Sequence, residues 1–91
     1  MELNHIPLFE GEEKLKILTY QHNRVCKIEN LVSLPTLLYI DLYDNMIREI
    51  ENLTALPQLR VLLLPKNQIS KIKNLDCLTK LEVLDLHSNK I

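Results

Sequence analysis

The feature that most constrains this chain is a repeat of 22 residues, which starts at Leu15 and runs without a gap to Ile91. Its registers are 15–36, 37–58 and 59–80, followed by a half-unit at 81–91. The first position holds Leu15, Leu37, Leu59 and Leu81, and the fourth holds Leu18, Ile40, Leu62 and Leu84. Tyr20, Leu42, Leu64 and Leu86 stand sixth, and Val25, Ile47, Ile69 and Ile91 stand eleventh. The ninth position is Asn23, Asn45, Asn67 and Asn89. The second half repeats Ile28, Ile50 and Ile72, then Asn30, Asn52 and Asn74. It closes on Leu31, Leu53 and Leu75 and on Leu34, Leu56 and Leu78. Sixteen of the chain's 20 leucines occupy these positions, so the period is more than a leucine-rich composition.

A unit of this length is a coil that cannot bury its own apolar side chains, so neighbouring coils must stack. Apolar residues at the fourth and sixth positions alternate as on one side of a short strand. Later apolar residues recur every three, which suits turns or 3₁₀ segments on the return path rather than a second strand. Stacking then aligns the strands into a parallel sheet, with no room for a long helix opposite.

The asparagines fall where the chain leaves the strand. An amide carries both donor and acceptor, so Asn23, Asn45, Asn67 and Asn89 read as a structural ladder that bonds the backbone of their own and neighbouring coils. Asn52-Leu53-Thr54 matches a glycosylation acceptor. Asn52 nevertheless shares its position with Asn30 and Asn74, which favours the structural role.

The ends depart from the period. Leu3, Ile6 and Phe9 stand where the return half of a preceding unit places apolar side chains, while Glu12 replaces a leucine. Residues 1–14 therefore read as a partial preceding repeat or a cap-like segment. At the other end Leu81, Leu84, Leu86 and Ile91 are expected to face water beside an unpaired strand. That reading makes the chain a fragment of a larger repeat protein, or one whose end a second chain covers.

Composition excludes several functions. Eleven Lys and Arg nearly balance 12 Asp and Glu, for a net charge of −1, which argues against nucleic acid or an anionic membrane as partner. The single glycine, Gly11, cannot build a phosphate-cradling loop. His22 and His87 lie three coils apart, roughly 14 Å along the stack, too far to share a metal. Cys26 and Cys77 lie two coils apart and are expected to be free thiols. The chain reads as no enzyme, with no catalytic residue, no metal, no cofactor and no small-molecule ligand.

Binding is expected at the strand positions that do not feed the core. Tyr39, Tyr43, Val61, Leu63 and Pro65 form an apolar centre, bordered by Asp41, Asp44, Asp85 and His87. An apolar centre with aromatics and a charged rim suits a protein partner. On the convex side Lys27, Arg48, Lys71 and Lys73 interleave with Glu29, Glu49 and Glu51, the mixture of an ordinary solvated face.

The unit, L-x-x-L-x-L-x-x-N-x-I-x-x-I-x-N-L-x-x-L-x-x, resembles the 22-residue class of the leucine-rich-repeat superfamily across residues 15–91. The resemblance implies an α/β solenoid wound as a right-handed superhelix, with a short parallel β-sheet on the concave face and turns or 3₁₀ segments on the convex face. It also implies a protein-binding scaffold. The stretches LFEGEEKLKIL, QHN, DLYDN, LRVLLL and LEVLDLHSN are similar to the leucine-rich-repeat family found as non-catalytic subunits of tubulin polyglutamylase complexes. Tyr43 and His87 carry weight in that likeness because they lie outside the framework positions, whereas Tyr20 and Pro65 depart from the family's usual leucine and glycine. The likeness implies tubulin or polyglutamylase subunits as partners, and a cytoplasmic place at the cytoskeleton, cilium or centriole. A phosphatase regulatory subunit or general protein-binding adaptor is the alternative.

Overall fold

In a computed structural model, which describes residues 3–32 and 34–91, each register contributes one three-residue strand. Met1 and Glu2 of the leader and Ser33 of the first register lie outside the described residues. The strands are β1 (Ile17–Thr19), β2 (Tyr39–Asp41), β3 (Val61–Leu63) and β4 (Val83–Asp85). They form one parallel sheet in the order β1-β2-β3-β4. Ile17 pairs with Tyr39, Tyr39 with Val61 and Val61 with Val83, so every rung repeats the sequence period.

The middle residue of each strand points inward. Leu18, Ile40 and Leu62 are buried there, while Leu84 on the edge strand is 37% exposed. Backbone pairing runs past the strands on both sides. Arg60 N–H donates to the Leu38 carbonyl and Glu82 N–H to that of Arg60. Beyond the strands Leu42 N–H reaches the Leu63 carbonyl, and Leu64 N–H that of Asp85. The first, sixth, eleventh and seventeenth positions of the middle coils add Leu37, Leu42, Ile47 and Leu53 to one continuous apolar core.

The return half is made of single turns. Leu37 N–H donates to the Leu34 carbonyl, Leu59 to Leu56 and Leu81 to Leu78, each bond closing one turn into the next coil. Leu15 bonds Glu12 in the same way, so the polar residue at that position keeps the turn through its backbone. Among the described residues there is neither α-helix nor 3₁₀-helix, so the convex layer is turns alone. At the sixteenth position a right-handed helix is interrupted outright. Asn30, Asn52 and Asn74 take left-handed backbone angles near φ +60°, which no right-handed helix can pass through. Asparagine tolerates that conformation better than most residues. Its Nδ2 then donates to the carbonyl of the coil before: Asn30 to Ile6, Asn52 to Ile28 and Asn74 to Ile50.

The ninth-position ladder is formed. Asn67 Oδ1 accepts from Ile47 N–H at 3.0 Å, and its Nδ2 donates to the carbonyls of Leu42 and Leu64. Asn45 does the same for Val25, Tyr20 and Leu42. Asn89 serves Ile69, Leu64 and Leu86.

Asn23 continues the ladder into the leader, where its Oδ1 accepts from Leu3 N–H at 2.8 Å. Ile6 is buried, and Phe9 meets the ring of Tyr20 edge-on at 6.5 Å. Phe9 thus gives the aromatic residue at a leucine position an edge-to-face partner.

Replacing Asn67 by alanine strips the buried Ile47 N–H of its acceptor. We expect Asn67→Ala to cost about 2 kcal/mol in urea unfolding, the penalty of one buried orphan donor. Asn89→Ala, in the coil of the edge strand where solvent reaches the site, should cost less. Equal losses at the two positions would contradict the role given to the buried ladder.

Candidate functional site

The sheet exposes the side chains on either side of its buried middle residues. Ile17, Tyr39, Val61 and Val83 stand in register as one row across all four strands. The outer two are 61% and 47% exposed, and Tyr39 and Val61 between them are half-buried. The next row is Thr19, Asp41, Leu63 and Asp85, of which Leu63 is half-buried and apolar.

Two expected members of the face are turned to other work. Asp41 is only 6% exposed. Its Oδ1 accepts from Tyr43 N–H at 3.0 Å and its Oδ2 from Gln21 Nε2, so it ends the strand rather than bordering the patch. Asp85 uses the same device, accepting from His87 N–H at 3.0 Å and from His87 Nδ1 at 2.7 Å, but keeps an open side. Both are short side-chain caps of the type aspartate makes two residues ahead of itself.

Pro65 is the second correction, since it is buried and offers a partner little. In the β3 coil Leu63 stands where Asp41 and Asp85 stand in theirs, and cannot accept a hydrogen bond. Proline two residues later has no N–H to satisfy. Aspartate with an N–H, and leucine with proline, are two solutions to the same turn.

The strand exits end on residues whose backbone conformation sequence reasoning did not predict. His22, Asp44, Lys66 and Ser88, all eighth in their units, take φ between +55° and +60°. None is glycine, although histidine and aspartate reach this region more readily than most residues. The turn aims their side chains along the rim.

Tyr43 is the centre of this rim. The His22 ring lies 5.1 Å from it, and Lys66 Nζ stands 5.9 Å from its centroid. His22 Nδ1 is also 2.9 Å from Asp44 Oδ2. One half-buried tyrosine is thus flanked by residues from the two neighbouring coils, which lowers the entropy lost when a partner covers it.

Tyr39, Val61, Leu63 and Asp85 thus stand on the rows of the sheet, Tyr43, Asp44 and His87 follow at the strand exits, and Asp41 and Pro65 are buried. Cys26 and Cys77 are free thiols. Among the described residues no three His, Cys, Asp or Glu side chains converge as a metal site would require.

Comparison with known proteins matches this geometry. The sequence profile of the family described as Leucine Rich repeats (2 copies) matches residues 57–91. Leucine-rich repeat-containing protein 49 from Homo sapiens is 50% identical over 44 residues, which cover 48% of this chain and 6% of that protein. The matched stretch is thus a small part of that relative's length. The fold is a leucine-rich-repeat solenoid.

The Asp85 carboxyl is held below the usual carboxylate range, first by the His87 backbone N–H and then by the His87 side chain. A depressed folded value contributes stability above the unfolded value, and that contribution is lost as pH falls through the folded one. Carboxyl-detected NMR should therefore show Asp85 titrating below the same residue in an unfolded peptide. His87→Ala should raise the midpoint only part of the way, because the backbone donor remains. A midpoint equal to the peptide's would remove the capping role.

Proposed function

We propose that this chain is a non-catalytic scaffold that holds a partner protein on its concave face, within a complex that modifies tubulin. The observation that carries the docking reading is the row Ile17, Tyr39, Val61 and Val83, exposed at its ends and half-buried at its middle, beside the Tyr43 rim. Rows of apolar and aromatic side chains presented by a rigid sheet bury area with little ordering cost, and tyrosines are frequent binding anchors. Leucine-rich repeats serve as protein-interaction scaffolds, and the family profile and the human relative support that role here. The tubulin part rests on the resemblance of QHN, DLYDN and LEVLDLHSN to polyglutamylase-complex subunits. It carries with it a cytoplasmic place at the cytoskeleton.

The test is co-sedimentation of the chain with microtubules in the presence of polyglutamylase subunits, using the parent and the double variant Tyr39→Ala/Tyr43→Ala. We expect the parent to co-sediment, and the variant to weaken by at least about 10-fold, the loss of one binding anchor. Circular dichroism of the variant should be unchanged, because neither ring belongs to the buried core. Retention of a protein phosphatase without tubulin would replace this reading by that of a phosphatase regulatory subunit.

A further inference from the structure

The convex side is not the even mixture of charges that its sequence order suggests. Two adjoining grooves there share Arg48, Glu49 and Ser70. Lys90 lines one of them, and Lys71 and Lys73 line the other. Glu51 belongs to a different groove, which it lines with Thr54 and Asp76. The one carboxylate of the two basic grooves, that of Glu49, has its Oε1 3.5 Å from Lys73 Nζ. Among the described residues Arg48, Lys71 and Lys90 pair with no carboxylate. Three cations from three successive coils thus line the grooves around Ser70 with no acid of their own.

Their placement follows from the period. Arg48 and Ser70 are both twelfth in their units, one coil apart, at a usual separation of about 4.8 Å. Gln68 N–H donates to the Ile47 carbonyl, and Lys90 N–H to that of Ile69, the residue before Ser70. These bonds hold together the backbones that carry Arg48, Ser70 and Lys90. Position twelve faces outward within the stack, since Arg48, with a coil on either side, is exposed.

Ser70 is itself exposed, lies in irregular backbone and, among the described residues, makes no hydrogen bond. Other hydroxyls are placed differently. Thr36 Oγ1 is engaged by the carbonyls of Glu13 and Leu15, at 2.9 and 3.0 Å. Thr54 stands with Glu51 and Asp76, which repel an anion.

We infer that Ser70 is a phosphorylation site whose phosphate is seated by Arg48, Lys71 and Lys90. In the reaction Ser70 Oγ attacks the γ-phosphorus of ATP held by a protein kinase. The new Oγ–P bond replaces the bond from that phosphorus to the β-phosphate oxygen. ADP leaves with the electron pair, and the hydroxyl proton passes to the kinase's base. The phosphoserine carries about −1.5 to −2 charge at pH 7 and three strong acceptor oxygens. Arginine takes such a group through parallel N–H bonds, and lysine meets it as a point charge. One group then ties three coils, so the modification tightens the junctions among the β2, β3 and β4 coils. It acts on the side opposite the docking face and does not rest on the docking reading.

The test places phosphoserine at position 70 of the full chain by genetic-code expansion. Phosphorus NMR follows its second ionisation, at about pH 6 when unperturbed. Cations favour the dianion, so the midpoint should fall below that of a phosphorylated peptide of residues 66–74. That peptide already contains Lys71 and Lys73, so the difference isolates Arg48 and Lys90, which only the fold brings in. Arg48→Gln with Lys90→Gln should return the midpoint to the peptide's. Hydrogen exchange at the Gln68 and Lys90 amides should slow by at least about 5-fold on phosphorylation, the effect of one charge-assisted contact at each junction. Phosphopeptide mapping of the chain expressed in cultured animal cells with phosphatase inhibitors should find Ser70 modified.

A midpoint equal to the peptide's, or one unmoved by the Arg48→Gln/Lys90→Gln pair, overturns the seat. Unchanged exchange at both amides overturns the tightening of the coils. Ser70 found unmodified in cells overturns the site. Should the double variant disturb folding, the comparison of the phosphorylated parent with the peptide decides.

Discussion

One amide per coil sets the geometry of this molecule. Burial of leucine and isoleucine drives the coils together, but apolar contact is non-directional and does not choose a register. The ninth-position asparagine does. Its oxygen takes an N–H from the coil before, and its nitrogen gives to carbonyls of both coils, as Asn45 and Asn67 show. A slip of one residue would put these amides among apolar side chains and leave buried backbone groups unpaired. Among the described residues no buried side-chain nitrogen or oxygen lacks a partner. Register, strand pairing and the alignment of the exposed row all follow from that satisfaction.

The binding face is a by-product of the same constraint. Since every strand meets its neighbour in the same register, side chains separated by one period become lateral neighbours. Tyr39 stands beside Val61, and His22 beside Asp44, through no local sequence relation. Variation at these positions alters the face without touching the core. The backbone is not indifferent to it, however: where aspartate is replaced by leucine in the β3 coil, the N–H that it would have capped is absent as well, because the residue is Pro65. Face and framework are linked through such turns.

Much of this was legible in the sequence. The period placed the strands, the inward leucines and the asparagine ladder, because those positions depend on a burial pattern that repeats. Asp41 and Pro65 were misread for a reason of equal generality. Spacing tells which way a strand residue points, but not whether a polar side chain is used up by the turn that follows it. The left-handed residues His22, Lys66 and Ser88 carry no common residue type, so nothing in their identities announces the conformation. Tyr20 made sense only beside Phe9, a contact across the leader that no single unit contains. The turns of the convex layer fit the expectation of turns or 3₁₀ segments, whereas the left-handed angle of the asparagines at position sixteen could not be read from their identity.

The constant separation of partners along the chain has a kinetic meaning. Ladder bonds from one coil to the next join residues 20 or 25 apart, as in Val25 with Asn45 and Tyr20 with Asn45. Each added coil thus closes a loop of similar length and meets a similar entropic cost, so the stack can grow and unravel one coil at a time. A ligand that spans two coils, as one touching both Tyr39 and Val61 does, binds only where the two are stacked, and so tightens that junction by mass action.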